Sequence, residues 1–265
     1  MYQDILSANL IMSHISPSTF CSELIVLDEV DSTSSHLKQL SISGAKHGTI
    51  VVANSQTAGR GRLGRSFHSP AGKGIYMSIL LNNSMQFSKS VELTAFAAVA
   101  TCQAIEETLD IIPKIKWMND ITINDKKFCG ILTETIIQCG KTCNVIVGIG
   151  INVDCILEDF PPQLQGHVTS LSMHTAQPIN RVNLIAEIIL SFARMYETVM
   201  TDITPYRKRY IELSSYIGRN IYVYHNGKRR PAYVVGINDD FTLHVRYEDG
   251  TEETLHNEET SVRNY

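Results

Sequence analysis

Residues 56–65 read Gln-Thr-Ala-Gly-Arg-Gly-Arg-Leu-Gly-Arg, so three glycines and three arginines occur within residues 59–65, with no acidic residue among them. Glycine has no Cβ, and its backbone can therefore take positive φ and come close to a ligand. Arginine presents a planar set of donors that matches a phosphate or a carboxylate in a bidentate manner. The segment is typical of a cationic loop that closes over an anion, and we call residues 59–68 the arginine loop.

The arginine loop has three other interpretations. Gly59, Gly61 and Gly64 match the spacing of a dinucleotide-binding fingerprint, but that fingerprint needs a helix directly after its glycines. Residues 65–74 contain a proline and two more glycines instead, so we reject this interpretation. A segment that binds nucleic acid through arginine and glycine usually repeats, and this one occurs once. A solvated surface loop remains open, although three arginines this close repel one another unless an anion gathers them.

Charge is distributed unevenly along the 265 residues. The chain has 23 basic and 27 acidic residues, a net charge of −4, which argues against nucleic-acid binding as its main activity. Residues 32–91, however, contain seven lysines and arginines and no acidic residue. We therefore expect one half of the protein to bind an anion. With 43% hydrophobic residues, the chain can bury a substantial core.

The cysteines and the N-terminal residues indicate a cytoplasmic protein. Six cysteines lie at positions 21, 102, 129, 139, 143 and 155, without the spacing of a zinc site. Most lie in apolar runs, where we expect reduced, buried thiols. The first twenty residues lack the basic start of a signal peptide. No apolar run approaches the ~18 residues of a membrane helix, so no membrane contact is expected.

Hydrophobic patterning predicts strands and helices in alternation. Strands are expected at 24–27, 49–53, 75–81, 114–117, 121–123, 128–137 and 144–153, and helices at 35–41, 88–109, from Asn180 to about 199, and at 205–214. In the helix at 88–109, one face is predicted to be core, formed by Val91, Ala95, Ala98, Cys102, Ile105 and Leu109.

Polar residues at the ends of these elements are candidates for a site. Residues 32–34 (Ser-Thr-Ser) can cap the following helix, and the exposed N–H groups of a helix start suit the polar end of a ligand. Asn119, Asp120 and Lys127 lie near the two ends of a predicted hairpin and can face one cleft. Asp120 has the alternative role of bonding to the backbone of its own turn. Glycines inside a strand, such as Gly148, mark close approach of a ligand or tight packing of the sheet.

The last fifty residues have a different pattern. Short apolar runs alternate with turns, and Asn226-Gly227 and Asp249-Gly250 are strong hairpin signals. Short antiparallel strands of this kind predict a small SH3-like β-barrel. We therefore divide the chain into a tail or short helix at 1–22, a main domain at 23–215 and a C-terminal barrel at 216–265.

Four segments resemble, in order and rough spacing, the motifs of biotin–protein ligases (biotin–acetyl-CoA-carboxylase ligases). They are Gly-Arg-Gly-Arg-Leu-Gly-Arg at 59–65, Asp31-Ser32-Thr33, Lys-Trp-Met-Asn-Asp at 116–120 followed by Lys127 and Gly130, and Gly-Ile-Gly-Ile-Asn at 148–152. The resemblance covers residues 24–265. It implies an α/β (α+β) fold with a mixed-sheet, class II synthetase-like biotin/lipoate ligase catalytic domain. Because no room for a winged helix precedes Glu23, the chain resembles the kind without a DNA-binding domain.

The resemblance implies a two-step reaction. Biotin and ATP form biotinyl-5′-AMP, and the biotinyl group then passes to a lysine of a biotin carboxyl carrier protein of acetyl-CoA carboxylase or of another biotin-dependent carboxylase. Mg²⁺ is expected mainly on the phosphates and on water, with no metal-binding residue assigned. No nucleic-acid partner is expected, and the sequence leaves open whether the chain forms a homodimer.

The site residues follow from the matching positions. Arg62 and Lys127 are the expected catalytic cations, and Asp120 could orient Lys116, hold Mg²⁺ or accept a proton. The biotin-binding set is Ser32, Thr33, Ser34, Gln56, Gly59, Arg60, Gly61, Arg62, Trp117, Lys127 and Gly130. The ATP-binding set is Arg60, Arg62, Arg65, Phe67, Asn119, Lys127 and Asn152.

Three positions depart from the family pattern. Ser34 stands where the family usually has Asn, Phe67 where it often has Trp, and Met118 where it has Pro. The first departure removes an amide donor to the ureido ring of biotin, and the last relaxes the backbone without removing a catalytic group.

Three other functions compete with biotin ligation. A lipoate–protein ligase has a related fold and the same chemistry, but it would lack the arginine loop. A nucleic-acid-binding module would use the basic half and bind with a steep salt dependence. A biotin-sensing repressor would need a DNA-binding domain.

Overall fold

A seven-stranded mixed sheet forms the larger part of the molecule. The structure, a computed structural model, describes residues 5–16, 20–82, 90–138, 141–225, 228–256 and 261–264. The strands of this sheet are β1 (Glu23–Val30), β2 (Thr49–Gln56), β3 (Gly74–Asn82), β4 (Lys114–Lys116), β5 (Asp120–Ile123), β6 (Lys126–Gln138) and β7 (Lys141–Asn152). They lie in the order β1-β2-β3-β7-β6-β5-β4. Only β1 and β2 pair in parallel, and the other neighbours are antiparallel.

The topology brings the candidate residues to one edge of the sheet. Val30 pairs with Gln56 at the carboxyl ends of β1 and β2. Gly74, the first residue of β3, pairs with Asn152 at the end of β7, and β6 begins beside the same end of β7. The start of α2, which follows β1, and the arginine loop, which follows β2, therefore lie at the same edge of the sheet as Gly130 of β6 and Gly150 of β7.

Helices cover both faces of the sheet. They are α1 (Ala8–Met12), α2 (Thr33–Ile42), α3 (Ser90–Thr108), α4 (Arg181–Val199) and α5 (Thr204–Leu213). Side chains alternate along a strand, so Val51 and Leu80 pack under α2, whereas Val52 and Ile79 face the larger core with α3 and α4. No helix among the described residues combines the length and apolar content that a membrane span requires.

Helix α3 is more buried than the sequence predicted. The expected core face is buried except at Val91, which is partly buried, and Leu93, Phe96 and Val99 on other faces are buried as well. The prediction of a single apolar face was therefore too narrow, because α3 packs between the sheet, α4 and α5.

The C-terminal strands form a second, five-stranded antiparallel sheet. Its strands are β8 (Asn220–His225), β9 (Lys228–Ile237), β10 (Leu243–Tyr247), β11 (Glu252–Leu255) and β12 (Ser261–Asn264), in the order β11-β10-β9-β8-β12. Among the described residues no pairing joins β11 to β12, so closure of the predicted barrel is not seen. The predicted Asn226-Gly227 turn lies outside the described residues, whereas Gly250 takes a φ of 82° at the other turn.

Each sheet receives side chains from the other part of the chain in its core. Trp117 and Met118, which precede β5, pack in the core of the small sheet, whereas Phe241, from the turn before β10, packs in the core of the large one. Phe241 has a φ of 62°, so the strand predicted from this residue starts two residues later, at Leu243. The boundary between 215 and 216 falls between α5 and β8 and stays a prediction.

The described cysteines are free thiols. Cys102 and Cys129 are fully buried, and burial raises the pKa of both. Burial also raises the pKa of Cys21 to about 11 and that of Cys155 to about 12. All four are therefore protonated at neutral pH and poor nucleophiles.

Candidate active site

A cavity of about 320 Å³ opens at the edge where β2, β6 and β7 meet the arginine loop. This volume includes open solvent at the mouth of the cavity. It is lined by Ser32, Thr33, Ser34, Gln56, Arg60, Phe67, Tyr76, Met77, Gly130, Leu132, Gly148, Ile149 and Gly150. Seven of these belong to the predicted site. The strand residues Met77, Leu132 and Ile149 were not predicted, because strand patterning does not distinguish the wall of a cavity from the core.

Glycines on β7 leave room for the side chains of the site. A Cβ at Gly148 would lie 2.8 Å from Ser34 Oγ, and one at Gly150 would lie 2.8 Å from the Phe67 ring. The groups that approach these glycines are the side chains of two candidate site residues, so side-chain packing accounts for both positions, and close approach of a ligand stays a prediction. Gly130 on β6 has the same relation to Lys127, whose Nζ would be 2.9 Å from a Cβ there.

Hydroxyl groups and one amide form the polar end of the cavity. The Thr33 hydroxyl lies 2.8 Å from Ser78 Oγ, and Ser34 Oγ lies 2.9 Å from the same atom. Gln56 Oε1 accepts hydrogen bonds from Thr33 N at 2.9 Å and Thr33 Oγ1 at 3.2 Å. Ser78 was missed in the sequence, although a serine inside the apolar run of β3 was a usable signal.

The predicted capping of α2 was wrong in its detail. Ser32 occupies the position before the helix, but its side chain makes no capping hydrogen bond. Gln56 bonds the N–H of Thr33, and Asp31 Oδ1 accepts from the N–H of Ser32 at 2.6 Å. The serine hydroxyls are therefore left to face the cavity and Ser78.

The arginine loop is folded by its own backbone. Gly61 N donates to Arg65 O at 2.7 Å, and Phe67 N donates to Gly59 O at 2.9 Å. Leu63 and Gly64 take positive φ of 55° and 72° at the tip. No regular helix follows the glycines, which confirms the rejection of the dinucleotide fingerprint.

Two arginines of the loop donate hydrogen bonds to residues of other segments. Arg60 donates to Glu134 Oε1 at 2.6 Å, and Arg62 Nη1 donates to Asn119 Oδ1 at 2.9 Å. Burial lowers the pKa of Arg62, whereas the nearby Asp120 carboxylate raises it. An anion placed here would favour the charged guanidinium, because it would offset the cost of burial.

The β5–β6 hairpin supplies the other cation. Lys127 Nζ lies 2.6 Å from Asp120 Oδ1, and both side chains are about two-thirds buried or more. The Lys127 ammonium also lies 6.0 Å from the centre of the Phe67 ring. The Asp120 carboxylate therefore orients Lys127, a role that was not among the three considered from the sequence. Lys116, which Asp120 was considered to orient, lies over the Tyr216 ring at 5.8 Å from its centre.

Nine predicted residues are not part of the cavity lining: Gly59, Gly61, Arg62, Arg65, Trp117, Asn119, Asp120, Lys127 and Asn152. Three of them are engaged or placed elsewhere. Trp117 is buried in the small-sheet core, where its Nε1 donates to Phe241 O at 2.8 Å. Asn152 is buried and donates from Nδ2 to Thr169 O at 3.1 Å. Arg65 is exposed at the loop tip. The structure also gives no group of three or more His, Cys, Asp or Glu side chains, among the described residues, that could hold a metal ion.

Comparisons with known proteins agree on the family. The family described as "Biotin/lipoate A/B protein ligase family" matches residues 26–152. The "Bifunctional ligase/repressor BirA" of Bacillus spizizenii is 39% identical over 228 residues, which cover 86% of this chain and 70% of that protein. A biotin–acetyl-CoA-carboxylase ligase of Mycobacterium tuberculosis is 29% identical over 147 residues, covering 53% of each.

A solved structure agrees as well. The biotin protein ligase of Aquifex aeolicus, in complex with biotin and ATP, is 27% identical and superposes with a TM-score of 0.80, covering 92% of this chain and 100% of that one. This chain therefore belongs to the biotin/lipoate A/B protein ligase family and, within it, to the biotin protein ligases.

Proposed function

We propose that the protein forms biotinyl-5′-AMP from biotin and ATP and then transfers the biotinyl group to a lysine of a biotin carboxyl carrier protein. One observation carries the proposal: a small polar-ended cavity has Arg62 and Lys127 beside it, each oriented by a neighbour on the 119–120 segment. A carboxylate that approaches a triphosphate is repelled, and two fixed cations offset that repulsion.

In the first step, a biotin carboxylate oxygen attacks the α-phosphorus of ATP. The new bond to phosphorus forms as the bond to the bridging oxygen breaks, and pyrophosphate leaves. We assign the ureido ring of biotin to the hydroxyls of Thr33 and Ser34 with Gln56, and the carboxylate to the side of Arg62 and Lys127. In the second step, the lysine nitrogen attacks the carbonyl carbon of the anhydride, loses a proton, and AMP leaves.

Magnesium is assigned to the substrate and not to a protein cage. The described carboxylate nearest the two cations, Asp120, is engaged by Lys127, and a single paired carboxylate does not make a metal site. When bound with ATP, Mg²⁺ would supply charge neutralisation on the phosphates. The base that takes the lysine proton stays unassigned.

Labelling of an isolated carrier domain tests the proposal. We expect incorporation of biotin that depends on both ATP and biotin, together with ATP–pyrophosphate exchange that depends on biotin. Exchange with lipoate in place of biotin would favour the lipoate ligase, and absence of exchange with either acid would overturn both.

DNA repression is the second function to test, because the printed name of the Bacillus relative includes it. We retain the prediction that this chain does not act as a DNA-binding repressor, since its net charge is −4. A gel-shift titration at several salt concentrations checks this, and specific binding would contradict it. The cytoplasmic location and the homodimer likewise stay predictions.

Limited trypsin digestion should detect closure of the arginine loop. Ordering a residue costs roughly 1–2 kcal/mol in backbone entropy, so we expect the loop to open readily without an anion. Cleavage after Arg60, Arg62 and Arg65 should fall when biotin and ATP are both present, because closure would shield the anhydride from water. Equal cleavage with and without the ligands would count against a moving loop.

Gly150→Ala should change nucleotide binding more than biotin binding. The added Cβ would lie 2.8–3.1 Å from three atoms of the Phe67 ring, so the ring must shift. We propose that Phe67 covers the adenine, and its displacement should raise KM for ATP by about tenfold while KM for biotin changes less. Gly166→Ala is the control, because nothing lies within 4 Å of a Cβ there. A larger rise in KM for biotin than for ATP would contradict the assignment of Phe67.

A further inference from the structure

Residues 117–120 are each held by a different part of the molecule. Trp117 Nε1 donates to Phe241 O at 2.8 Å, in the turn before β10. The Tyr210 hydroxyl of α5 donates to Met118 O at 3.0 Å. The next two residues, Asn119 and Asp120, hold the catalytic cations. We call residues 117–120 the clamped segment.

The two outer supports of the clamped segment contact each other. The rings of Tyr210 and Phe241 are fully buried and meet edge to face, with centroids 5.2 Å apart. Phe96 of α3 packs on the other side of Phe241, at 5.3 Å and a similar angle. The Tyr210 hydroxyl is also close enough to Arg62 for the positive charge to act on its pKa, although burial is the larger effect and raises that pKa.

Phe241 adopts an unusual backbone conformation for a bulky residue. Its φ of 62° lies in the left-handed region, which is strained for residues other than glycine. Its N–H donates to Asn238 O, and Asn238 N donates to Thr242 O, so the turn is closed on both sides. Such strain persists only where the surroundings fix the conformation, and here it places the Phe241 carbonyl opposite Trp117.

We propose that Tyr210 and Phe241 are positioning residues for adenylate formation, an inference that rests on the proposed function. Neither residue lines the cavity. Through Met118 and Trp117 they fix the backbone of the clamped segment, so that Asn119 meets Arg62 and Asp120 meets Lys127. The C-terminal sheet thereby contributes to the rate of the first step without touching biotin or ATP.

Tyr210→Phe isolates the hydroxyl from the ring. The variant keeps the packing on Phe241 and removes only the donor to Met118 O. We expect kcat for adenylate formation to fall roughly tenfold, with KM for biotin unchanged within about twofold. Tyr206→Phe is the matched control, because Tyr206 is buried on the same helix and packs on Phe96. A loss in Tyr206→Phe equal to that in Tyr210→Phe would overturn the proposal.

A double-mutant cycle separates positioning from general destabilisation. If Tyr210 acts through Asn119, then Tyr210→Phe should cost little once Asn119→Ala has removed the bond to Arg62, so the two losses should not add. Additive losses would show that Tyr210 does not act through this path.

Trp117 gives a readout that needs no substrate. It is the only tryptophan of the chain, so tryptophan fluorescence, excited selectively over the eleven tyrosines, reports on the clamped segment alone. Phe241→Ala should shift the emission to longer wavelength and increase acrylamide quenching, with Phe241→Leu intermediate, whereas Tyr206→Phe should match the wild type. Unchanged emission in Phe241→Ala would overturn the coupling. If the wild-type protein formed no adenylate, the proposed function would be overturned, but the fluorescence comparison would still test the coupling between Phe241 and Trp117.

Discussion

Lys127→Ala is expected to lower kcat for biotinyl-5′-AMP formation by about 10²–10³-fold, the usual cost of removing one preorganised donor to a developing charge. The ammonium lies 2.6 Å from Asp120 Oδ1 and beside Gly130 of the cavity lining. In the proposed function, this is where the biotin carboxylate and the α-phosphate meet. Its removal also leaves the Asp120 carboxylate without this partner, and that negative charge would then repel both substrates.

The neighbouring lysine provides the control for this prediction. Lys126 precedes Lys127 on β6 and is exposed, and successive side chains of a strand point to opposite faces. Lys126→Ala changes the net charge by the same amount and should leave kcat within about twofold of the wild type. Pyrophosphate exchange measured at saturating biotin and ATP gives both values. A similar loss in the two variants would mean that net charge, and not the position of Lys127, supports the reaction.

Arg62→Ala is expected to lower kcat/KM for biotin by about 10²-fold, and Arg62→Lys should recover only part of it. The guanidinium is partly buried and oriented by Asn119 at 2.9 Å, and burial lowers its pKa. A bound anion would compensate that burial, so most of the loss should appear in the step that brings both anions together. A lysine retains the charge but lacks the planar pair of donors.

Calorimetric titration with biotin, followed by single-turnover formation of the adenylate, separates the two contributions of Arg62. Arg246→Ala is the matched control, because Arg246 lies on β10 of the small sheet and pairs with Glu252 at the surface. Surface ion pairs contribute little to stability, so this variant should behave as wild type. Full recovery by Arg62→Lys would contradict a role for the bidentate geometry.

Local patterns predicted the parts of the fold that local physics determines. The β-branched run of β2 and the apolar run of β3 were placed within a few residues of their observed ends, because both strands are buried on both faces. Arg62, Lys127 and Asp120 were predicted by motif, and the structure brings them together through Asn119. The alternation of strands and turns after residue 215 correctly indicated an antiparallel C-terminal sheet.

Tertiary contacts account for what the sequence could not indicate. Nothing local shows that Phe241 leaves its own sheet for the core beneath α3, since its neighbours are typical of an ordinary turn. The same contact draws Trp117 away from the cavity and toward the C-terminal sheet. Ser78 becomes part of the site only because α2 lies over β3. The sequence of one strand does not indicate which helix will pack against it.

Because β1 and β2 are parallel, the chain between them must return to the other end of the sheet. A loop that tolerates an insertion therefore lies at the end of the strands opposite the candidate site. The connection from α2 to β2, at residues 43–48, turns at the opposite end of the strands from Gln56 and the arginine loop. Gly44 and Gly48 take φ of 96° and 80° there, and Gly48 N donates to Leu80 O. A peptide tag spliced at Gly44, where nothing lies within 4 Å of a Cβ, therefore extends away from the catalytic edge, and this turn is the natural place for an affinity handle or a new chain terminus.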